Sequence, residues 1–110
     1  MSATALESLA QQACVRDAAR LPAGEVDTLL AVLPGWQHVA DRVAKTYRFA
    51  GWHETMAFVN AVAWIAERAG HHPDLSVHFN RCVVSYSTHD AGGITRNDLV
   101  CAARVERLFA

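Results

Sequence analysis

The longest regular apolar pattern in the chain lies between Gly51 and Gly70. One set of apolar residues there recurs every three or four positions: Phe58, Val62, Ile65 and Ala69. This spacing places their side chains on one face of an α-helix. Gly70 is a typical helix-ending residue, and Pro73 reinforces the stop. The pattern therefore predicts a helix from Trp52 to Ala69.

A second apolar stripe follows the same predicted helix and consists of Met56, Val59 and Ala63. At roughly 100° per residue it lies about a quarter to nearly half a turn from Phe58. One face of a sheet cannot cover both stripes, and a monomer would leave the second one as an apolar patch. The second stripe therefore predicts that the chain pairs symmetrically with copies of itself.

Period-two alternation and β-branched or aromatic residues predict two pairs of strands. The first pair is Trp36–Val39 and Lys45–Phe49, linked by the polar Asp41-Arg42; the second is Leu75–Phe79 and Cys82–Tyr86, linked by Asn80-Arg81. In the third strand Leu75, Val77 and Phe79 alternate with polar residues, which predicts that this side of the strand is buried.

Two further helices are predicted, one over Glu25–Leu33 and one that begins near Thr95, where Thr95 and Asp98 have capping-box spacing. The Ala-rich residues 1–20 form an N-terminal extension that could be helical, and residues 21–110 form the main domain. Hairpins in place of helical crossovers predict an α+β fold: a single domain with an antiparallel four-stranded sheet and helices packed on one face.

Composition narrows the classes of function. The 110 residues have a net charge of −1 and contain only scattered arginines and one lysine, which argues against direct nucleic-acid binding. The apolar runs are much shorter than the roughly 18 residues of a membrane span, and no signal-peptide pattern is visible at the start. Cys14, Cys82 and Cys101 fit no disulfide or zinc pattern. We therefore expect a cytoplasmic protein with free thiols.

Three of the six histidines lie where predicted elements end. His71 and His72 follow the long helix, and His89 follows the last predicted strand. Histidines at a helix C-terminus can simply be surface residues favoured by the helix dipole. A zinc site is less compatible with the pattern, because His71 and His72 are neighbours and no Cys or carboxylate lies beside them at ligand spacing.

The arrangement of these residues resembles the pterin-4a-carbinolamine dehydratase family. The resemblance is carried by Glu67-x-x-x-His71-His72-Pro73, Phe79, His89 and Asp98, with Trp36 after a glycine, Ser87-Thr88-His89-Asp90 before Gly92-Gly93, Ile94-Thr95 and Leu99. It extends over about residues 22 to 108. The family often has an aromatic residue two positions after the proline, where this chain has Leu75.

The resemblance implies an enzyme that removes water from a 4a-hydroxytetrahydropterin and yields a quinonoid dihydropterin without metal or cofactor. It implies that His71 and His89 are the acid–base pair, because imidazole can donate or accept a proton near neutrality, and that His72 mainly holds and orients the pterin. The other implied substrate-binding residues are Glu67, Pro73, Ser87, Thr88 and Trp36. An aromatic amino acid hydroxylase is the expected consumer of the recycled pterin.

Several alternatives stay open in the sequence. Glu67 lies one turn before His71 and could reach its imidazole, or it could be a solvated carboxylate near Arg68. Capping alone would explain Asp98, and core packing would explain Trp36 equally well. The fold also serves non-catalytic relatives, such as dimerisation partners of transcription factors and assembly factors for carbon-fixing enzymes, so a binding or bifunctional role is the alternative function.

Overall fold

The computed structural model describes the backbone of residues 2–110 and the side chains of residues 5–110. The elements follow in this order: α1 Ser2–Ala10, α2 Ala23–Leu30, β1 Gln37–Val39, β2 Arg42–Arg48, α3 Trp52–Ala69, β3 Asp74–His78, β4 Arg81–Tyr86 and α4 Arg96–Glu106. Short 3-10 turns occupy His89–Ala91 and Arg107–Phe109.

The four strands form one antiparallel sheet in the order β1-β2-β4-β3. On one face, Val43 and Tyr47 of β2 lie opposite Tyr86 and Cys82 of β4, and all four are buried beneath the helices. The other face carries polar residues such as Thr46, which is exposed. The predicted α+β fold, with helices packed on one face of a four-stranded sheet, is confirmed.

The β1–β2 hairpin differs from the prediction at its turn. β2 begins at Arg42, three residues before the predicted Lys45, and Val39 pairs directly with Arg42. The turn is therefore only Ala40-Asp41, and Ala40 adopts a left-handed backbone with φ of 54°. The sequence predicts Asp41-Arg42 as the link because both residues are polar, but a polar residue can also begin a strand whose sheet has one face exposed to solvent.

The predicted buried side of the third strand is wrong for two of its three residues. Leu75 is half-buried against the core, whereas Val77 is exposed and Phe79 has 65% of its surface accessible. β3 is an edge strand with β4 as its single neighbour, so the helical layer covers only part of it. The strand also ends at His78, so Phe79 lies in the turn to β4 and not in the sheet.

The bounds of α3 agree with the prediction because glycines flank it on both sides. At its end, Gly70 adopts a left-handed conformation with φ of 66°, its N–H donates to Glu67 O, and the His71 N–H donates to Ala66 O. This pair of bonds is the Schellman motif, which ends the helix and redirects the chain. His71 thus follows immediately from a rigid helix end.

The N-terminal residues contain a helix that packs on the core. Leu6 and Leu9 of α1 are buried in the same apolar cluster as the inner face of α4. The division at residue 20 stays a prediction. Among the helices that the structure describes, none has both the length and the apolar character needed to cross a membrane.

Candidate active site

His71 and Asp98 form the central pair of the candidate site. His71 follows the end of α3, Asp98 lies in the first turn of α4, and Nε2 of the histidine is 2.5 Å from Oδ1 of the aspartate. The Asp98 side chain is fully buried, whereas 16% of the His71 side-chain surface remains accessible. A buried carboxylate therefore fixes an imidazole that is itself partly accessible to solvent.

Asp98 is held in place by the start of α4. Its Oδ2 accepts hydrogen bonds from the Thr95 backbone N–H and from the Thr88 hydroxyl, both at 2.8 Å. The Thr95 side chain in turn accepts the Asp98 N–H, which completes the predicted capping box. The capping role is thus present, but the same carboxylate also binds His71. Sequence spacing explained the cap fully and therefore gave no reason to look for a second role.

The contact with Asp98 determines the chemistry of His71. Because a carboxylate can only accept, Nε2 carries the hydrogen and Nδ1 is left to exchange a proton. No hydrogen-bond partner of Nδ1 is found within residues 5–110. The hydrogen bond to Asp98 raises the pKa of His71 above its usual 6.5, against the opposing effect of burial. The ring also stacks on Tyr86, with centroids 5.7 Å apart.

His72 and Glu67 form a second, exposed pair. Nε2 of His72 lies 3.2 Å from Oε1 of Glu67, and both side chains are largely exposed to solvent. Glu67 therefore pairs with His72, and not with the His71 imidazole or with Arg68, whose guanidinium lies over the Trp64 ring. Pro73, the next residue, is half-buried.

His89 lies at the start of the 3-10 turn that follows β4, and it is exposed. The turn is closed by backbone hydrogen bonds between Thr88 and Gly93 in both directions and contains Gly92 in a left-handed conformation. Ser87 donates to the Asp41 carbonyl at 2.9 Å, which ties this turn to the β1–β2 hairpin. His89 thus follows directly after Thr88, whose hydroxyl binds the same carboxylate as His71.

Trp36 lies in the core, with only 5% of its surface accessible. Its indole N–H donates to the buried Glu106 carboxylate, which also accepts hydrogen bonds from Lys45 and Tyr47. Its ring faces that of Tyr86, on whose ring His71 stacks. This location agrees with core packing, one of the two roles that the sequence left open for Trp36. The Tyr86 ring lies between Trp36 and His71.

Two other features bear on the location of the site. A cavity of about 590 Å³ opens beside α3 and is lined by residues that include Trp64, Arg68 and Arg104, but by none of the three site histidines. In the described part of the chain, no group of three or more His, Cys, Asp and Glu side chains is arranged to hold a metal ion. We therefore locate the candidate site by its histidines and their hydrogen-bond partners, and not by this cavity.

The chain thus combines an α+β fold with a histidine that a buried aspartate holds in place, and sequence comparison identifies the family. The family profile described as pterin 4 alpha carbinolamine dehydratase matches residues 19–108. The chain belongs to this family. The Glu67-to-Asp98 pattern lies entirely within the matched region.

Two relatives illustrate the similarity. A Chromobacterium violaceum protein named "Putative pterin-4-alpha-carbinolamine dehydratase" is 63% identical over 84 residues, which cover 76% of this chain and 78% of that protein. A Nitrosospira multiformis protein of the same name is 40% identical over 109 residues, or 96% of both chains. The second alignment includes the N-terminal residues that lie outside the family match.

Solved structures share the fold. A transcriptional coactivator/pterin dehydratase from Brucella melitensis superimposes with a TM-score of 0.78 at 28% identity, over 83% of this chain and 99% of its own. A pterin dehydratase-like protein identified as a RuBisCO assembly factor in the alpha-carboxysome has a TM-score of 0.55 at 24% identity, over 66% of this chain and 84% of its own. The latter likeness concerns the fold alone.

Proposed function

We propose that this protein dehydrates 4a-hydroxytetrahydropterin to quinonoid dihydropterin and water, and so recycles a reduced pterin. The observation that carries the proposal is the His71–Asp98 pair, because it provides an oriented imidazole whose Nδ1 can exchange a proton, within the region that the family profile matches. Pterin hydroxylation by an aromatic amino acid hydroxylase is the reaction that would supply this substrate.

The reaction requires two proton transfers. The C4a–O bond breaks as the hydroxyl oxygen gains a proton and leaves as water, and N5 gives up its proton as the C4a–N5 double bond forms. We assign these transfers to His71 and His89, one as acid and one as base. In this proposal His72 and Glu67 bind the pterin at the rim together with Pro73, while Thr88 and Ser87 hold the turn that carries His89.

The direct test is a stopped-flow assay with synthetic 4a-hydroxytetrahydropterin, in which the pterin absorbance follows dehydration. We expect the purified protein to accelerate the step well above the buffer rate, with full activity retained after dialysis against a chelator. A rate equal to buffer alone would refute the proposed reaction, and activity lost on chelation and restored by zinc would refute the metal-free mechanism.

We also propose that the protein is a homodimer or homotetramer in the cytoplasm, the compartment that suits its free thiols. On α3, Ala63 is exposed and Met56 and Val59 are only half-buried, so much of the second apolar stripe is open in the single chain. We expect light scattering to give a multiple of the chain mass, and Val59→Glu to shift it towards monomer because a charge is placed in the interface. Asn60→Glu, at the neighbouring exposed position, is the matched control.

A second candidate function is a binding role alongside catalysis. It is favoured by the description of the Brucella melitensis neighbour as both a coactivator and a dehydratase. The described part of this chain exposes Trp64, Leu108 and Phe109, large apolar side chains that a partner could cover. Co-purification with a partner that survives loss of His71 and His89 would separate this role from the enzymatic one.

A further inference from the structure

Two cysteines that are distant in sequence meet beneath the candidate site. Cys14 lies in the segment between α1 and α2, Cys101 lies on α4, and their Sγ atoms are 3.7 Å apart. Cys101 is fully buried, whereas Cys14 is half-buried and so retains access to solvent. The third cysteine, Cys82, is buried and has no thiol partner among the described residues.

The contact is held by hydrogen bonds on both sides of Cys14. The Asn97 side chain accepts the Val15 N–H at 2.9 Å and donates to the Val15 carbonyl at 2.8 Å. The Arg104 guanidinium donates to the carbonyls of Ala10 and Gln12 at 3.0 and 2.7 Å. The spacing of Asn97, Cys101 and Arg104 places them on one face of α4, so a single helix face holds the segment and presents the second thiol to it.

The surroundings make the two thiols chemically unequal. The hydrogen bond with Cys101, together with the nearby positive charges of Arg104 and His71, lowers the pKa of Cys14 despite its partial burial. The same hydrogen bond and burial raise the pKa of Cys101. Thiolates are the reactive form of cysteine. Cys14 is also the thiol with access to solvent, so a reagent would meet Cys14 first, with the buried Cys101 behind it.

We propose that Cys14 and Cys101 form a peroxide-sensitive dithiol site that closes into an intramolecular disulfide. The Cys14 thiolate attacks a hydroperoxide; its sulfur takes up one oxygen as a sulfenic acid, and the rest of the peroxide leaves as water or an alcohol. The Cys101 sulfur then attacks the Cys14 sulfur, its proton passes to the departing hydroxyl, which leaves as water, and the S–S bond forms. Each disulfide thus consumes two thiols and one hydroperoxide, and a dithiol reductant reverses it.

The geometry requires little movement. A disulfide has an S–S bond of about 2.05 Å, so the sulfur atoms must approach by less than 2 Å from their 3.7 Å separation. Cys14 lies outside helices and strands, so its segment can supply this movement while α4 stays in place. Closure would join the N-terminal segment covalently to the helix that carries Asp98. The proposal does not depend on the pterin reaction.

The test is to treat the full-length reduced protein with hydrogen peroxide at about one equivalent and to analyse it by intact mass and peptide mapping. We expect a loss of about 2 Da, a Cys14–Cys101 linked peptide, and a melting temperature raised by about 5 °C or more, all reversed by dithiothreitol. Cys82→Ser is the matched control and should behave like the unmodified sequence.

Cys14→Ser and Cys101→Ser should each abolish the mass loss, and Cys101→Ser should instead accumulate a sulfenic acid that a dimedone-type probe traps on Cys14. The proposal is overturned if the reduced protein keeps its mass under these conditions, if the oxidised protein links two chains or uses Cys82, or if Cys14 oxidises without engaging Cys101. Mapping of the unmodified sequence decides the question even where a variant fails to fold.

Discussion

The two histidines proposed as the acid–base pair lie in contrasting surroundings. His71 is fixed by a buried carboxylate and by the ring of Tyr86, and it follows a rigid helix end. His89 is exposed on a short 3-10 turn, and within residues 5–110 its side chain has no hydrogen-bond partner. One half of the site is therefore organised before substrate arrives, whereas the other half can adjust to the substrate.

The largest effect is expected when both imidazoles are removed. General acid–base groups typically contribute on the order of 10²- to 10⁴-fold to a rate, so His71→Ala and His89→Ala should each reduce turnover within or below that range. The double variant should fall to about the uncatalysed rate, and the losses need not add. His78→Ala, at an exposed histidine on β3, is the control for the stopped-flow assay. A folded double variant with near-normal turnover would contradict the proposed mechanism.

The next effect concerns the pKa of the organised histidine. Asp98→Asn keeps the shape of the side chain and an oxygen for the Thr95 N–H, but it removes the negative charge beside His71. The pKa of His71 should fall, and the His71-dependent limb of the pH–rate profile should move to lower pH with it. NMR titration of the imidazole protons measures the shift. Glu67→Gln, whose pair is His72, serves as the control and should leave His71 unchanged.

The same pair predicts a pH dependence of stability. The folded pKa of His71 is raised, so its contribution is fully present below the unfolded value of about 6.5 and is lost as pH rises through the folded pKa. Urea unfolding at about pH 6 and pH 9 should show that His71→Gln costs more stability at the lower pH. If His71→Gln lowered the free energy of unfolding equally at both pH values, the His71–Asp98 ion pair would contribute nothing to stability.

The smallest effect is expected at the exposed pair. Because His72 and Glu67 are both solvated, Glu67→Gln should change the free energy of unfolding by less than about 0.5 kcal/mol. Any effect on the enzyme should therefore appear in the KM for the pterin and not in the unfolding curve. If Glu67→Gln greatly lowered the free energy of unfolding, the exposed His72–Glu67 pair would contribute to stability as the buried His71–Asp98 pair does.

The sequence predicted best where local signals were strong. Gly51 and Gly70 bounded α3 correctly, and the Thr95–Asp98 spacing correctly predicted a capping box. The β1–β2 turn was displaced because Ala40 adopts a conformation that alanine rarely takes. The exposure of Val77 could not be predicted from alternation, because alternation does not reveal which strand lies at the edge of the sheet.

For the candidate site, the sequence indicated which residues to consider but not their hydrogen-bond partners. The positions of His71, His72 and His89 in the chain suggested a cluster, but which carboxylate serves which imidazole depends on how α4 lies against the end of α3. Glu67 was the local candidate for His71, whereas the observed partner, Asp98, is 27 positions away. The Cys14–Cys101 contact depends likewise on the path of a segment without regular structure, which no periodic pattern describes.

The double use of Asp98 has a consequence for folding kinetics. A chain whose sheet and α3 have formed, but whose α4 has not yet docked, would have most of its secondary structure and no carboxylate to orient His71. Catalytic activity should therefore return no earlier than the tertiary signal that reports docking of α4. Turnover would then measure completion of the fold more sensitively than helix content does.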